Sequence, residues 1–227
     1  MNIGRIIKGV GGNYYVSAKG KIYKCSARGK FRKAKITPTV GDYVQFTILD
    51  ENDCEGALDT IEKRKNILLR PRVANIDCAI ITFAATSPDI NRDLLDRFLI
   101  LAETQNIPKV IICINKSDLV SQEEKDAFAN IYEPYYKVVF TSAEKNIGID
   151  QLKEEIHGCE SVFAGPSGVG KSSLINRLIP ESNRQTGEIS RKIERGKHTT
   201  RQVELLRADE ETYIVDSPGF TSLSLDF

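Results

Sequence analysis

Hydrophobic and polar residues alternate over short stretches in the first third of the chain. Such alternation, rich in Val, Ile, Tyr and Thr and broken by glycine-containing turns, is typical of half-buried β-strands. It predicts five strands, with the sequences IGRIIKG, NYYVSAK, KIYKCSA, DYVQFTIL and GALDTIEK. Five short strands in so few residues fit a small closed barrel, so we expect an all-β, OB-like domain over residues 1–68.

The pattern changes at Asp77, where continuous apolar runs begin to alternate with segments of helical spacing. The runs CAIITFAA, VIICIN, KVVF and SVFAG are typical of parallel strands that are buried on both faces. Ser121 and Glu124 form a capping-box pattern at the start of one helix. Strands alternating with helices predict an α/β domain with a mostly parallel sheet over residues 77–227. Residues 69–76, which include Pro71, are expected to form an irregular linker.

Composition is that of an ordinary globular protein, with 41% hydrophobic and 28% charged residues. No apolar run reaches the ~20 residues of a membrane span, and the first apolar run is too short for a signal peptide. Five scattered cysteines without metal-ligand spacing indicate reduced thiols. We therefore expect a cytoplasmic protein without membrane attachment.

Charge is distributed unevenly along the chain. The net charge is +1, but residues 1–50 hold ten Lys and Arg residues against two acidic ones. This excess predicts that the barrel binds an anionic partner such as RNA, although a solvated basic surface is the alternative. The cluster expected to contact RNA is Lys30, Arg32, Lys33 and Lys35. The aromatic residues near it either stack on unpaired bases or belong to the barrel core: Tyr23, Phe31 and Tyr43.

The sequence GPSGVGKS matches GxxxxGK[ST], the phosphate-binding loop, or P-loop. It stands between an apolar strand and a helix, where backbone N–H groups and the helix N-terminus attract phosphate. A glycine-rich turn that only caps the helix is the alternative. Lys171 is expected to be catalytic and to reach the β- and γ-phosphates, and the Ser172 hydroxyl is expected to bind Mg²⁺. The expected nucleotide-binding residues here are Gly165, Pro166, Ser167, Gly168, Val169, Gly170, Lys171, Ser172 and Ser173.

The sequence Asn115-Lys116-Ser117-Asp118 ends the strand VIICIN and matches NKxD. The Asp118 carboxylate can accept hydrogen bonds from N1–H and the 2-amino group of guanine, neither of which adenine offers. Asp118 would otherwise only start a helix. Asn115 is expected to contact the base edge and a neighbouring loop, and the Lys116 stem to pack over the ring. Ser142 and Ala143 follow the next strand, where a backbone N–H would reach guanine O6.

The sequence Asp216-Ser-Pro-Gly219 ends the strand TYIV and matches DxxG. Asp216 is expected to lie near Mg²⁺ through a water molecule, and the Gly219 N–H near the γ-phosphate. A plain β-turn at Pro218 is the alternative. In the polar loop before this strand, Thr200, with Thr199 as second choice, is expected to close over Mg²⁺ and the γ-phosphate, unless the loop is only a solvated basic segment.

These motifs occur in the order NKSD, TSA, P-loop, Thr loop and DSPG, whereas Ras-like GTPases begin with the P-loop. One sheet can be closed with different chain ends, so this order predicts a circular permutation. With the basic barrel and the sequences GPSGVGKSSLIN and GKHTTR, the chain resembles the RsgA/YjeQ family over essentially its whole length. The resemblance implies GTP hydrolysis stimulated by the 30S ribosomal subunit, a role late in small-subunit maturation, and barrel contacts to 16S rRNA. We also expect a monomer.

Two features depart from what is familiar in such enzymes. The family continues into a C-terminal domain with a Cys/His zinc site, whereas here the last such residues are Cys159 and His198. We therefore expect zinc only in a domain outside this chain, which leaves its ribosome binding open. Phe220 follows DSPG where Ras-type enzymes have a water-orienting glutamine, so we expect slow intrinsic hydrolysis. His198 is the nearest candidate to orient water, unless it only contacts RNA or solvent.

Two other functions compete with a GTPase switch. The first is an RNA-binding module that holds GTP as a state-setting ligand with negligible turnover. The second is a metabolic P-loop kinase, which the NKSD and DSPG motifs disfavour. Hydrolysis of GTP and ATP, measured with and without small subunits, distinguishes the three functions.

Overall fold

The computed structural model describes residues 2–69, 71–179 and 203–216, apart from the side chain of Arg32. The described chain divides into two compact units: the first comprises residues 2–76 together with 203–205 and Asp216, and the second comprises residues 77–179 and 206–215. The division separates the alternating sequence pattern from the continuous apolar pattern.

The first unit is a closed five-stranded barrel, which confirms the OB-like prediction. Its strands are β1 (Asn2–Val10), β2 (Asn13–Ala18), β3 (Lys21–Ala27), β4 (Tyr43–Asp50) and β5 (Glu55–Ile61). β2 pairs antiparallel with β1 and β3, β5 runs parallel to β3, and β4 pairs antiparallel with both β5 and β1. Every second residue points inward, so the fully buried core includes Ile6, Val16, Cys25, Val44, Phe46 and Leu58.

The sequence pattern missed a short helix and a hairpin in this unit. α1 (Gly29–Lys33) is a single turn between β3 and β4, too short to show helical periodicity. β6 (Ile67–Leu69) and β7 (Arg72–Ala74) pair antiparallel, so the expected irregular linker over residues 69–76 contains the end of one strand and the whole of another. The Asn66 side chain closes this hairpin: its amide nitrogen donates to the Ile76 carbonyl (2.8 Å), and its oxygen accepts from the Ile76 N–H (2.9 Å).

The second unit is the predicted α/β domain. Its strands are β8 (Cys78–Ala84), β9 (Lys109–Asn115), β10 (Lys137–Phe140), β11 (Glu160–Ala164), β12 (Glu204–Arg207) and β13 (Tyr213–Asp216). Its helices are α2 (Arg92–Thr104), α3 (Gln122–Tyr132), α4 (Ile149–Ile156) and α5 (Lys171–Leu178), and a 3₁₀ turn spans Ser117–Leu119. The capping box at Ser121 and Glu124 is present at the start of α3.

The sheet of this unit brings the ends of its strands together. β10, β9, β8, β11 and β13 are neighbours in that order and run parallel. β8 and β11 are buried along their whole length, as continuous apolar runs require. Parallel strands place all their carboxyl ends at one edge, which is where α/β proteins bind ligands. Among the described residues, none of the helices has the length and apolar character needed to span a bilayer.

Candidate functional site

The P-loop connects β11 to α5 at the carboxyl edge of the sheet. Gly168 and Gly170 have φ values of 83° and 96°, which glycine adopts without strain. Gly170 caps α5 without a side-chain hydrogen bond, and the first turn of the helix contains no acidic residue. The first N–H groups of an α-helix have no partner within it, so this end presents donors and partial positive charge to an anion.

Two glycines of the P-loop are required by close packing. A Cβ atom on Gly165 would collide with the carbonyl oxygen of Thr82 on β8, and one on Gly170 would collide with the Asn115 side chain. Any larger residue would therefore push the P-loop away from β8 or from the NKSD turn. The loop is held at van der Waals contact with both neighbours.

Lys171 is folded back over the P-loop. Its Nζ donates to the carbonyl oxygens of Gly165 and Pro166, each at 2.6 Å. Burial lowers the pKa of the ammonium below its ordinary value. A partly desolvated ammonium at this position suits a phosphate ligand. The charged phosphate oxygens would take the place of the two loop carbonyls as acceptors.

Ser172 and Asp216 supply oxygen donors at this edge. Ser172 lies exposed in the first turn of α5, next to Ser173. Asp216 is the last residue of β13, whose parallel register with β11 brings it to the same edge as the P-loop. A hydroxyl and a carboxylate are hard oxygen ligands of the kind that Mg²⁺ takes beside nucleotide phosphates. The residues present therefore fit this ion.

Asn115 links three segments of the site. Its side chain is 3% exposed. The amide nitrogen donates to the Val169 carbonyl in the P-loop (2.9 Å), while the oxygen accepts from the Ala143 N–H (3.1 Å) and the Thr141 hydroxyl (3.3 Å). The expected contact between Asn115 and a neighbouring loop is therefore present, both to the P-loop and to the loop after β10. Asn115 joins the NKSD turn to the P-loop and to the loop after β10.

Lys116 has left-handed backbone geometry, with φ 60°. Its Nζ donates to the Ser87 carbonyl in the loop between β8 and α2. Pro88 of this loop lies 4.0 Å from a Cβ built on Gly168 of the P-loop. The β8–α2 loop therefore borders the site, although no motif of the sequence indicated it; its Gly-free, Pro-containing sequence reads as an ordinary turn.

Asp118 is prepared to be a charged acceptor. A hydrogen bond from the Ser142 side chain is the main reason that the pKa of this carboxyl lies below its ordinary value. Its own backbone N–H and the positive charges of Lys145 and Lys125 act in the same direction, while desolvation opposes them. Because guanine offers two N–H donors on its Watson–Crick edge, an ionised Asp118 matches that base.

The loop that contains Ser142 and Ala143 is rigidly built. Ser142 and Ile147 exchange two backbone hydrogen bonds, of 2.9 and 3.0 Å. A backbone N–H of this loop was expected to reach guanine O6, and that of Ala143 already donates to Asn115. The Ala143 carbonyl accepts a hydrogen bond from Arg177 Nε of α5 (2.9 Å). No pattern in the sequence indicated Arg177, because its partner is a backbone atom 34 residues away.

Some predicted residues fall outside what the structure describes. These are His198, Thr199, Thr200, Gly219 and Phe220, together with the side chain of Arg32. In the barrel, Lys30, Lys33 and Lys35 are exposed. Tyr23 and Phe31 are 5% and 7% exposed, so these two aromatic side chains belong to the core. Tyr43 is half-buried beneath the Arg5 guanidinium, 4.4 Å from its ring centre.

Two family models match the chain. The model described as RsgA N-terminal domain matches residues 3–57, and the model described as RsgA GTPase matches residues 61–226. The small ribosomal subunit biogenesis GTPase RsgA of Alkaliphilus metalliredigens is 52% identical over 228 residues, covering 100% of this chain and 78% of that protein. A protein of the same name from Agathobacter rectalis is 48% identical, covering 97% of this chain and 76% of that protein.

Solved structures resemble the whole described chain. YjeQ from Thermotoga maritima has a TM-score of 0.82 at 32% sequence identity and covers 99% of this chain and 77% of its own. YloQ, described as a circularly permuted GTPase, has a TM-score of 0.79 at 38% identity and covers 99% of this chain and 74% of its own. Both similarities extend over the barrel and the α/β unit alike.

Proposed function

The chain belongs to the RsgA family of circularly permuted GTPases, and from this membership we propose that its GTP hydrolysis serves the maturation of the small ribosomal subunit. The enzyme would cleave GTP to GDP and phosphate in the cytoplasm, as a monomer. Its barrel would contact 16S rRNA, and the 30S subunit would stimulate turnover.

The observation that best supports guanine-nucleotide binding is the buried Asn115 side chain. It ties the P-loop carbonyl of Val169 to the Ala143 N–H of the loop after β10. A phosphate-binding loop and a base-recognising turn are thus held at a fixed separation by one amide. Such preorganisation suits one ligand that carries both a purine and a phosphate chain.

We assign the phosphate end of the ligand to the first residues of α5. The Lys171 ammonium would move from the loop carbonyls to the β- and γ-phosphates, and the N–H groups of the helix start would bind the same oxygens. Ser172 and Asp216 would hold Mg²⁺, which neutralises charge on the phosphates when it is bound. Thr200 and the Gly219 N–H would contact the γ-phosphate.

We assign the base to the NKSD turn and the loop after β10. The Asp118 carboxylate would accept from the guanine N1–H and 2-amino groups, and the Lys116 stem would cover the ring. The remaining task is to orient the attacking water. We propose His198 for this role because an imidazole can accept the proton of a water molecule, whereas the phenyl ring of Phe220 cannot.

The barrel surface supports the RNA part of the proposal. Lys30, Lys33 and Lys35 are exposed around the single turn of α1. Exposed lysines keep their hydration and conformational freedom until they meet phosphates, so they suit a salt-sensitive contact with an RNA backbone.

Multiple-turnover hydrolysis tests the proposed activity. We expect this chain to hydrolyse GTP slowly, to do so faster with small subunits, and to lose about 100-fold in rate in Lys171→Ala. Lys153→Ala, which removes an exposed lysine from α4, is the matched control and should keep the wild-type rate. GTP binding without turnover, even with small subunits, would favour the RNA-binding module. Equal hydrolysis of ATP would exclude the guanine assignment of Asp118.

A further inference from the structure

The loop after β10 is fixed at both polar atoms of one residue. Its Ala143 is 6% exposed. The N–H of this residue donates to Asn115 Oδ1 (3.1 Å), and its carbonyl accepts from Arg177 Nε (2.9 Å). The two partners come from different elements, the NKSD turn and α5. Both sides of the Ala143 backbone are therefore held by side chains from the rest of the site.

The contact from Arg177 sets the direction of the next peptide group. A peptide bond is planar and trans, so a fixed Ala143 carbonyl also fixes the N–H of Glu144, which points the opposite way. A guanidinium that donates to a carbonyl also polarises that peptide group and makes its N–H a better donor. A backbone N–H of this loop is the donor expected to reach guanine O6. The N–H groups of Ser142, Ala143 and Lys145 already donate to the Ile147 carbonyl, Asn115 Oδ1 and the Ser142 hydroxyl.

α5 connects this contact to the phosphate end of the site. The helix begins with Lys171 and Ser172 and carries Arg177 in its last turn. The helix therefore contacts the P-loop through Lys171 at one end and the loop after β10 through Arg177 at the other. A change at the phosphate end that moves α5 would therefore also move Arg177 and its hydrogen bond to the Ala143 carbonyl.

We propose that Arg177 is a positioning residue for guanine recognition, which orients the loop after β10 so that the backbone N–H of Glu144 faces O6 of the base. The proposal rests on the guanine-nucleotide site proposed above. The competing role for Arg177 is a cation at the C-terminal end of a helix, which stabilises the helix dipole without affecting the base.

The test compares two ligands that differ only at position 6 of the base. GDP carries an oxygen there, whereas 6-thio-GDP carries sulfur, a poorer acceptor, and keeps N1–H and the 2-amino group. Affinities for both are measured by calorimetry on the full chain and on Arg177→Met, which keeps an apolar stem and removes the donor. Lys153→Met is the matched control, because Lys153 is also a cation in the last turn of a helix, α4.

We expect Arg177→Met to bind GDP about fivefold more weakly, as for loss of one hydrogen bond from a charged donor, and to bind 6-thio-GDP within twofold of the wild type. Lys153→Met should leave both affinities unchanged. Unchanged GDP affinity in Arg177→Met, or equal losses for GDP and 6-thio-GDP, would overturn the proposal. A wild-type chain that binds ADP as well as GDP would instead remove the guanine site itself, and this inference with it.

Discussion

The two units bury their chains differently, and their candidate functional groups differ accordingly. In the α/β unit, β8 and β11 are buried along their whole length, so polar groups can emerge only where strands end. There they are interlocked, as at Asn115. In the barrel, alternate residues of β3 face water, and the candidate groups are exposed lysines around α1. The α/β unit offers an interlocked set of polar groups at the carboxyl edge of its sheet, and the barrel offers exposed positive charge.

The comparison predicts that the α/β unit is far less tolerant of one added methyl group. Gly165→Ala places a Cβ against the Thr82 carbonyl. We expect a loss of about 3 kcal/mol or more in the free energy of unfolding, because backbone atoms cannot move aside. Gly20 in the barrel has φ 76°, but a Cβ atom there would meet nothing within 4 Å. Gly20→Ala should therefore lower the free energy of unfolding by only about 1 kcal/mol. Urea unfolding measures both, and equal losses would refute the comparison.

The next prediction concerns a buried asparagine in each unit. Asn115 and Asn75 are both 3% exposed, and each bonds two separate backbone segments. Asn115→Ala should weaken GDP binding by about 100-fold, because it releases the P-loop and the loop after β10 together. Asn75→Ala should lower stability by about 2 kcal/mol and leave GDP affinity within twofold.

Calorimetry with GDP and urea unfolding of both variants check this pair. If Asn75→Ala weakened GDP binding as much as Asn115→Ala, nucleotide affinity would reflect general stability and not the local linkage. If neither variant changed GDP binding, the linkage through Asn115 would have no functional role.

These two pairs also show what the sequence could and could not predict. Hydrophobic periodicity identified the strands of both units, because each period follows directly from burial on one face or two. The motif residues followed from spacing, because GPSGVGKS is contiguous. Asn115 was expected to contact the base edge and a neighbouring loop, but the sequence did not identify Val169 as its partner. The bond between them joins a side chain to a backbone atom 54 residues away, which no local pattern encodes.

The same reason explains the other omissions. The hydrogen bonds that link Arg177 and the β8–α2 loop to the site use backbone carbonyls, those of Ala143 and Ser87. α1 has five residues and β6 has three, so each spans fewer than two full periods of the pattern that would reveal it. Sequence motifs thus named the groups that would meet the ligand, and missed those that hold them.

A third prediction tests whether the barrel acts through charge alone. Charge reversal of Lys30, Lys33 and Lys35 to Glu should weaken small-subunit binding about tenfold. It should also make the dependence of log affinity on log salt shallower, reducing the magnitude of its negative slope by about 2–3. The matched control reverses Lys19, Lys21 and Lys24, which are exposed elsewhere on the barrel. Binding is measured by sedimentation with small subunits at several salt concentrations. Equal losses in both variants would assign the effect to net charge, without a specific contact at α1.

The smallest expected effect concerns pH at the preorganised site. The Ser142 hydroxyl, with the Asp118 backbone N–H and two lysines, keeps the pKa of Asp118 below its ordinary value. A depressed pKa means that the carboxylate is retained as pH falls. The preference for GDP over IDP, which lacks the 2-amino group, should therefore change less than twofold between about pH 7.5 and about pH 5.5. The phosphates of the two ligands titrate alike, so their ionisation cancels in the ratio.

Asp118→Asn should show little preference for GDP over IDP at any pH, and Ser142→Ala should begin to lose its preference at a higher pH than the wild type. A wild-type preference that falls steeply in this range would mean that the pKa of Asp118 is raised, and that its surroundings do not prepare it to accept from guanine.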